Sequence, residues 1–276
     1  MALTPAEIAA MVALAEQRAG LALNGDVGFR LETRLGPVAR ASGFNTVSDL
    51  VANLRVRRDE ALARAVTEAL ADTESWFFRD PAAWRTLRER ILPELAGARG
   101  GRALRVLSVG CSTGQEPYGL AMTWDGLAPA HPGVLLHLEA ADLSTRALEK
   151  AQAGLYTQFE VQRGLPIRTL LKHFGKEDDH WRLEPAMRQA VRFRPVNLLA
   201  LEPTAEPWDL ILCRHVLSGM TEAGARRALA ALTAGLAPDG VLMLGEGEAA
   251  GDLGPLAPMR EAPGFYARPR SRRAAA

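Results

Sequence analysis

Residues Gly110-Cys111-Ser112-Thr113-Gly114 follow an apolar run from Val106 to Val109 and are compatible with two kinds of chemistry. As G-x-S-x-G they would form the strand-to-helix elbow that exposes a nucleophilic serine. As a glycine-bearing loop after a first strand they would instead let a nucleotide-type cofactor approach the backbone. The nucleophile reading needs an acid and then a histidine further along the chain, the histidine after a late strand. The five histidines stand at 131, 137, 173, 180 and 215, none of them beyond the strand expected at Val241 to Leu244. Only His215 falls at a strand end, and Asp209 lies at the opposite end of that strand, too far away to orient it. The sequence therefore favours a loop that holds over a serine that attacks.

A holding loop makes a further demand, an acidic residue ending the second strand to accept hydrogen bonds from a ribose diol. Asp142 stands there, and Glu116 sits at the mouth of the loop beside the following helix. Two carboxylates with no Lys or Arg in the loop suit a pyrophosphate poorly, because phosphates prefer bare backbone amides at a helix N-terminus. They suit a ligand that is cationic or neutral at that end. S-adenosylmethionine, with a sulfonium, an ammonium and a ribose but no phosphate, fits. The dinucleotide fingerprint G-x-G-x-x-G is absent, which argues against NAD.

These residues need elements to position them. From Leu104 onward, short apolar strands alternate with helices: strands at Leu104 to Val109, Val134 to Ala141, Trp208 to Arg214 and Val241 to Leu244, helices near Pro117 to Trp124, Ser144 to Ala153 and Glu222 to Leu236. That alternation predicts an α/β fold, a doubly wound, mainly parallel sheet covered on both faces. The stretch 154 to 195 breaks the rhythm. Its helical piece (Ile167 to Phe174) and extended segments (Trp181 to Glu184, Ala190 to Arg194) predict an inserted antiparallel hairpin subdomain. Residues 1–71 read as a small helical domain, with helices starting at Thr4-Pro5 and covering Val27 to Ala41, Val47 to Leu54 and Glu60 to Leu70. Arg30, Arg34 and Arg40 read as a solvated face of the second helix. Residues 72–98 read as a linker and connecting helix that opens at Asp80-Pro81, and the sheet domain occupies 99–276. Trp76, Phe77 and Phe78 in the linker must pack against something, most simply as a plug between the domains.

A chain of 276 residues that is 48% hydrophobic can bury a full core. With 33 basic against 32 acidic residues the formal charge is +1, which gives no general drive toward nucleic acid or an anionic membrane. No segment offers the roughly 20 apolar residues of a membrane span, and the N-terminus lacks the basic start of a signal peptide. The expectation is a cytoplasmic monomer without membrane insertion. Cys111 and Cys213 are too few for a disulfide framework and lack partners at metal-ligand spacing, so no metal site is expected and both should be reduced, buried thiols.

Residues 72–81, 110–118, 141–144 and 193–199 resemble four blocks of a known family, the CheR-type chemotaxis receptor methyltransferases, which are S-adenosylmethionine-dependent protein-glutamate O-methyltransferases. Asp72-Thr73-Glu74-Ser75-Trp76-Phe77-Phe78-Arg79-Asp80-Pro81 is similar to the family's T-N-E-T-x-F-F-R-D-P. Gly110 to Tyr118, GCSTGQEPY, resembles its C-S-T-G-E-E-P-Y loop with glutamine for the first glutamate. Ala141-Asp142-Leu143-Ser144 resembles A-x-D-I-[DS], and FRPVNLL at 193–199 resembles F-x-x-x-N-L-L. Order and spacing agree from about residue 8 to 266. The resemblance implies a Rossmann-like methyltransferase domain with S-adenosylmethionine as cofactor and chemoreceptor cytoplasmic domains as partners. It places Ser75, Phe77, Arg79, Gly110, Cys111, Ser112, Glu116, Asp142, Asn197, Leu198, His215 and Val216 around the cofactor. Arg79 would be the catalytic residue beside the reacting methyl. Glu116 and Asp142 would meet the amino-acid and ribose parts, and Asn197 and Leu198 would flank the adenine. The helical N-terminal domain would close over the site and the 154–195 insertion would dock the receptor.

One block departs from the pattern. After Ile211-Leu212-Cys213-Arg214 the family has N-V-x-I-Y-F, whereas this chain has His215-Val216-Leu217-Ser218-Gly219-Met220. The later G-x-S-E is Gly245-Glu246-Gly247-Glu248. The holding side matches and the reacting side does not. The sequence thus predicts measurable cofactor binding with slow or absent transfer to generic receptor domains, and a gain in rate from His215→Asn together with Gly219→Tyr. Two other readings stay open, a noncatalytic S-adenosylmethionine-binding regulatory protein of the same fold and a methyltransferase with a different substrate.

Overall fold

The computed structural model describes residues 3–202, 204–248 and 254–269. Four helices come first, α1 (Pro5–Ala19), α2 (Val27–Ala41), α3 (Val47–Val56) and α4 (Glu60–Leu70). Each start is fixed by a side chain that accepts an otherwise unpaired amide. Thr4 and Thr46 form capping boxes with Glu7 and Asp49, and Asp26 and Asp59 accept from Phe29 and Leu62. Their apolar stripes meet in a core of their own around Met11, Leu31, Leu35, Leu50, Val66 and Leu70. Arg34 does not face solvent alone, since it donates to the carbonyls of Leu70 and Ala71 at 2.9 and 2.5 Å and holds the end of α4.

A longer helical run follows, α5 (Pro81–Thr86), a π-helical turn at Leu87–Ile91 and α6 (Leu92–Arg99). The rest alternates: β1 (Leu104–Val109), α7 (Gln115–Leu127), β2 (Leu136–Asp142), α8 (Thr145–Ala153), β3 (Leu155–Thr157), α9 (Gln158–Gln162), α10 (Ile167–His173), β4 (Phe174–Glu177), β5 (His180–Leu183), α11 (Pro185–Gln189), β6 (Val191–Pro195), β7 (Trp208–Cys213), α12 (Glu222–Gly235), β8 (Leu236–Leu244), β9 (Ala257–Pro258) and β10 (Phe265–Ala267). The main sheet runs β6-β2-β1-β7-β8-β10-β9. Its first five strands are parallel and the last two pair antiparallel. Successive residues of the central strands feed opposite cores, Val106, Leu210 and Leu212 on one face and Leu107, Val109 and Ile211 on the other. Burial on both faces explains why these strands read as unbroken apolar runs.

The insertion differs from its sequence reading. The subdomain is a three-stranded antiparallel sheet, β3-β5-β4, and the segment assigned to its second extended arm, Ala190 to Arg194, lies elsewhere. Val191–Pro195 is an edge strand of the main sheet, with Leu138 opposite Val191 and Asp142 opposite Pro195. Val191 is buried and Phe193 stands edge-on to Tyr118 of α7, at 5.5 Å between centroids. The pairing is decided by those distant apolar partners, which a five-residue segment does not announce. β8 also begins earlier than Val241: Trp208 pairs with Leu236 and Leu210 with Val241, so Ala237 to Gly240 form a bulge.

Candidate functional site

The strand order reverses between β1 and β7, and ligands of doubly wound sheets bind at such a point, beyond the carboxyl ends of the strands. A cavity of about 320 Å³ opens there. The ends of β1, β2, β6 and β7 bring Gly110, Asp142, Asn197 and His215 to its wall, and Leu21 to Asn24 from the N-terminal domain cover it.

The loop after β1 needs its small residues. Gly110 has φ +65°, and a Cβ there would lie 2.3 Å from Val216 Cγ2. Ser112, at φ +49°, donates its amide to Asp142 Oδ2 at 2.7 Å, while Ser144 N donates to Oδ1 at 2.8 Å. Burial pushes the Asp142 carboxyl above its ordinary value against the pull of these amides. The Ser112 hydroxyl donates to the Thr73 carbonyl at 2.6 Å, so it ties the linker to the loop and has no base to activate it. Ser112→Ala should therefore keep the protein's cofactor affinity and transfer rate and cost on the order of 1 kcal/mol of stability. Stoichiometric labelling of Ser112 by a fluorophosphonate would contradict this.

Beneath the cavity sits a charge cluster built on Arg214, whose side chain is 2% exposed. Its guanidinium donates to Glu116 Oε2 (2.9 Å), Asp80 Oδ2 (2.8 Å) and the Arg79 carbonyl (2.5 Å), and Ser108 Oγ donates to the other Glu116 oxygen at 2.8 Å. Asp80 also accepts from Glu246 N at 3.1 Å and stands 2.8 Å from His215 Nε2. Burial acts to raise the Asp80 carboxyl, but the Glu246 amide, His215 and Arg214 outweigh it and hold it below the usual range. A depressed carboxylate stabilises the fold above its unfolded pKa, near 4, and loses that contribution as pH falls through the lower folded value. The difference in thermal midpoint between the natural protein and Asp80→Asn should be full at pH 7 and shrink on acidification below about pH 4. A difference that grows on acidification would reverse the assignment.

The divergent block is built into this frame. Glu248 accepts from His215 N, Ser218 N and Gly245 N at 2.7, 3.0 and 2.9 Å and pins the loop after β7. Gly245 is small of necessity, because a Cβ would lie 2.8 Å from the His215 ring. The His215 ring is held by Asp80, a partner the sequence did not show, so the gain expected from His215→Asn together with Gly219→Tyr would come with the loss of that contact. Gly219 and Met220 bind the N-terminal domain: Leu21 and Met220 form an antiparallel bridge, with Ala22 N to Gly219 O at 2.9 Å and Thr221 N to Gly20 O at 2.8 Å. Gly20 and Gly224 permit the approach, for a Cβ on Gly224 would fall 2.8 Å from the Gly20 Cα. Asn197 Nδ2 donates to the Arg18 carbonyl at 2.5 Å, and Glu68 Oε2 accepts from Thr145 N and Oγ at 3.0 and 2.6 Å. These bonds clamp the helical domain over the cavity.

Of the residues singled out in the sequence, Gly110, Ser112, Asp142, Asn197, Leu198, His215 and Val216 line the cavity. Glu116 and Arg79 are not part of its lining and connect to it through Arg214, Glu116 by its carboxylate and Arg79 by its backbone carbonyl, and Ser75 and Cys111 do not line it either. Phe77 is elsewhere. It is fully buried, edge-on to Tyr156 and Phe174 at 5.3 and 5.8 Å, and packs the linker into the small subdomain. Cys111 and Cys213 lie at the ends of the neighbouring strands β1 and β7 as unpaired buried thiols, and burial pushes both far above the ordinary thiol value. Sequence reasoning missed Arg214 and Asp80, read only as a strand end and a helix start, and the Gly20 to Asn24 strap, which carries no motif.

The site suits the nucleoside cofactor. Its charged lining is Asp72, Glu74, Asp142, Arg30 and Arg214, and Arg214 is already committed to Glu116 and Asp80. A ligand with fixed positive charge meets acids there, and a phosphate finds no free arginine or lysine in the loop. The buried Asp142 carboxylate at the end of β2 has the chemistry to accept from ribose hydroxyls.

Comparison with known proteins agrees with this chemistry. Residues 73–256 match the family described as CheR methyltransferase, SAM binding domain. The Pseudomonas aeruginosa protein named chemotaxis protein methyltransferase 1 is 34% identical over 242 residues, covering 86% of this chain and 88% of its own length. The Vibrio cholerae protein of the same name is 30% identical over 236 residues, 84% of this chain and 85% of its own. With the four sequence blocks, the sheet order and a cavity at the switch point, these matches establish that the chain belongs to the CheR methyltransferase family and that its cofactor is S-adenosylmethionine.

Proposed function

We propose that this protein methylates glutamate side chains of chemoreceptor cytoplasmic domains, acting as a monomer in the cytoplasm. The observation that carries the reading is the state of Arg79. Its guanidinium lies over the Trp76 ring, 4.0 Å from the centroid, and no carboxylate pairs with it among the described residues. The stretch that bears it is tied to the cavity at both ends, by Ser112 to the Thr73 carbonyl and by Arg214 to the Arg79 carbonyl. A stacked, unpaired arginine fork at that place is suited to hold a substrate carboxylate in bidentate geometry. The names of the relatives support chemotaxis as the setting.

In this reading Asp142 holds the ribose, Asn197 and Leu198 border the adenine, and Gly110, Ser112, His215 and Val216 shape the remaining wall. Glu116 acts through Arg214, which it and Asp80 keep in place. When bound, S-adenosylmethionine would supply the methyl group to the carboxylate oxygen, its sulfonium leaving as a neutral thioether. No side chain has to move a proton, because a glutamate with a pKa of about 4.3 is already ionised at neutral pH. The chain's task is alignment and exclusion of water, and alignment alone can be worth about 7 to 11 kcal/mol. Arg79 orients the nucleophile and the strap at Gly20 to Asn24 closes the cavity. Mass spectrometry of a receptor cytoplasmic fragment after incubation with protein and cofactor should find methyl esters on glutamates. Methylation confined to lysine would show a different substrate class.

A further inference from the structure

A second cleft, of about 600 Å³, lies between the start of α5, α7 and α10. Three aromatic rings, Trp76, Phe78 and Trp84, line it, and Phe78 and Trp84 pack edge to face at 5.2 Å. Its rim is basic, with Arg85 and Arg88 on one side and Arg168 and Lys172 of α10 on the other. Arg88 is answered by Glu89 and Lys172 by Asp125, each at 2.6 Å. Arg85 and Arg168 are exposed and have no carboxylate partner among the described residues. The cleft is therefore an apolar trough with positive charge to spare. It also lies next to Arg79, because the Trp76 that lines it carries the Arg79 guanidinium on its ring. Arg163 lies against the same ring at 3.9 Å, and Gly164, whose Cβ would fall 2.0 Å from the Phe77 carbonyl, keeps this corner closed.

We infer that this cleft seats the acidic polypeptide flanking the methyl-accepting glutamate, so that the target side chain reaches Arg79 while neighbouring carboxylates meet Arg85 and Arg168. The inference rests on the proposed glutamate methylation and adds to it a preference for acidic flanks. A single exposed ion pair contributes little. Two unpaired arginines facing one acidic chain over an aromatic floor act together, attracting acidic segments and repelling basic ones.

The test uses the full chain, a short fluorescein-labelled peptide of alternating glutamate and alanine, and the surface variant Arg85→Glu/Arg168→Glu. The double variant should weaken peptide binding about tenfold or more, and rising salt should weaken binding to the natural protein. Its calorimetric affinity for S-adenosylmethionine should stay within about twofold of the natural value, since neither residue lines the cofactor cavity. Unchanged peptide affinity in the double variant would overturn the inference, as would equal binding of an alternating lysine–alanine peptide or equal competition by phosphatidylglycerol vesicles. The two readings fail separately. Peptide bound in the cleft with no ester formed on receptor fragments would leave the cleft standing and remove glutamate methylation, whereas ester formed with unchanged KM in the double variant would do the reverse.

Discussion

Replacing Arg214 with methionine should destabilise the fold by about 3 to 5 kcal/mol, the loss found when one partner of a buried ion pair is removed. The side chain is 2% exposed and lies between Glu116 and Asp80, whose own side chains are only 12% and 14% exposed. Without it the two carboxylates stay buried with no cation bridging them, and the Arg79 carbonyl loses its donor. The loss should appear in urea unfolding and, at temperatures where the variant remains folded, as weakened cofactor binding. Adding Glu116→Gln to the same chain should recover part of the stability, because one stranded charge is then neutral. Set beside the effect of Glu116→Gln alone, that recovery gives the coupling energy of a double-mutant cycle. A strictly additive pair would mean that Arg214 and Glu116 do not depend on each other.

Replacing Arg79 with alanine should act on rate and not on folding. Its guanidinium leans on Trp76 and bonds no carboxylate among the described residues, so its removal strands none of them. If it sets the angle of the incoming carboxylate, the methylation rate should fall by roughly 10²-fold, the usual consequence of a misplaced reactant. Calorimetric affinity for S-adenosylmethionine should remain close to the natural value. Arg79→Lys should restore only part of the rate, because a point charge does not reproduce the planar fork. Equal losses in cofactor affinity and rate would make Arg79 part of the pocket's scaffold.

What could be read from the sequence was local. The Thr4-Pro5 cap marked the start of α1, and doubly buried apolar runs marked β1 and β7, because such signals lie within a few residues of what they determine. Asp142 was legible as the acid that ends β2 for the same reason. What could not be read depends on partners distant in the chain. β6 joins the main sheet through apolar contacts made some fifty residues away, and Asp80 meets Arg214 and His215 across 134 and 135 positions. His215 looked unpartnered because only its own strand was in view. Gly219 and Met220 looked like losses from the reacting side, yet their backbones hold Leu21 and Ala22 over the cavity, so their departure from the pattern does not by itself imply the slow or absent transfer expected from the sequence.

The central claim is methyl transfer to a glutamate carboxylate, and the most direct measurement is the chemical stability of the transferred group. The full chain is incubated with methyl-labelled S-adenosylmethionine and a receptor cytoplasmic fragment, and the fragment is then separated and treated with base. The account predicts label on the fragment that base releases as volatile methanol, and loss of most of it when Arg79 is alanine. Label that resists base, or cofactor that binds calorimetrically with no label transferred, would contradict it.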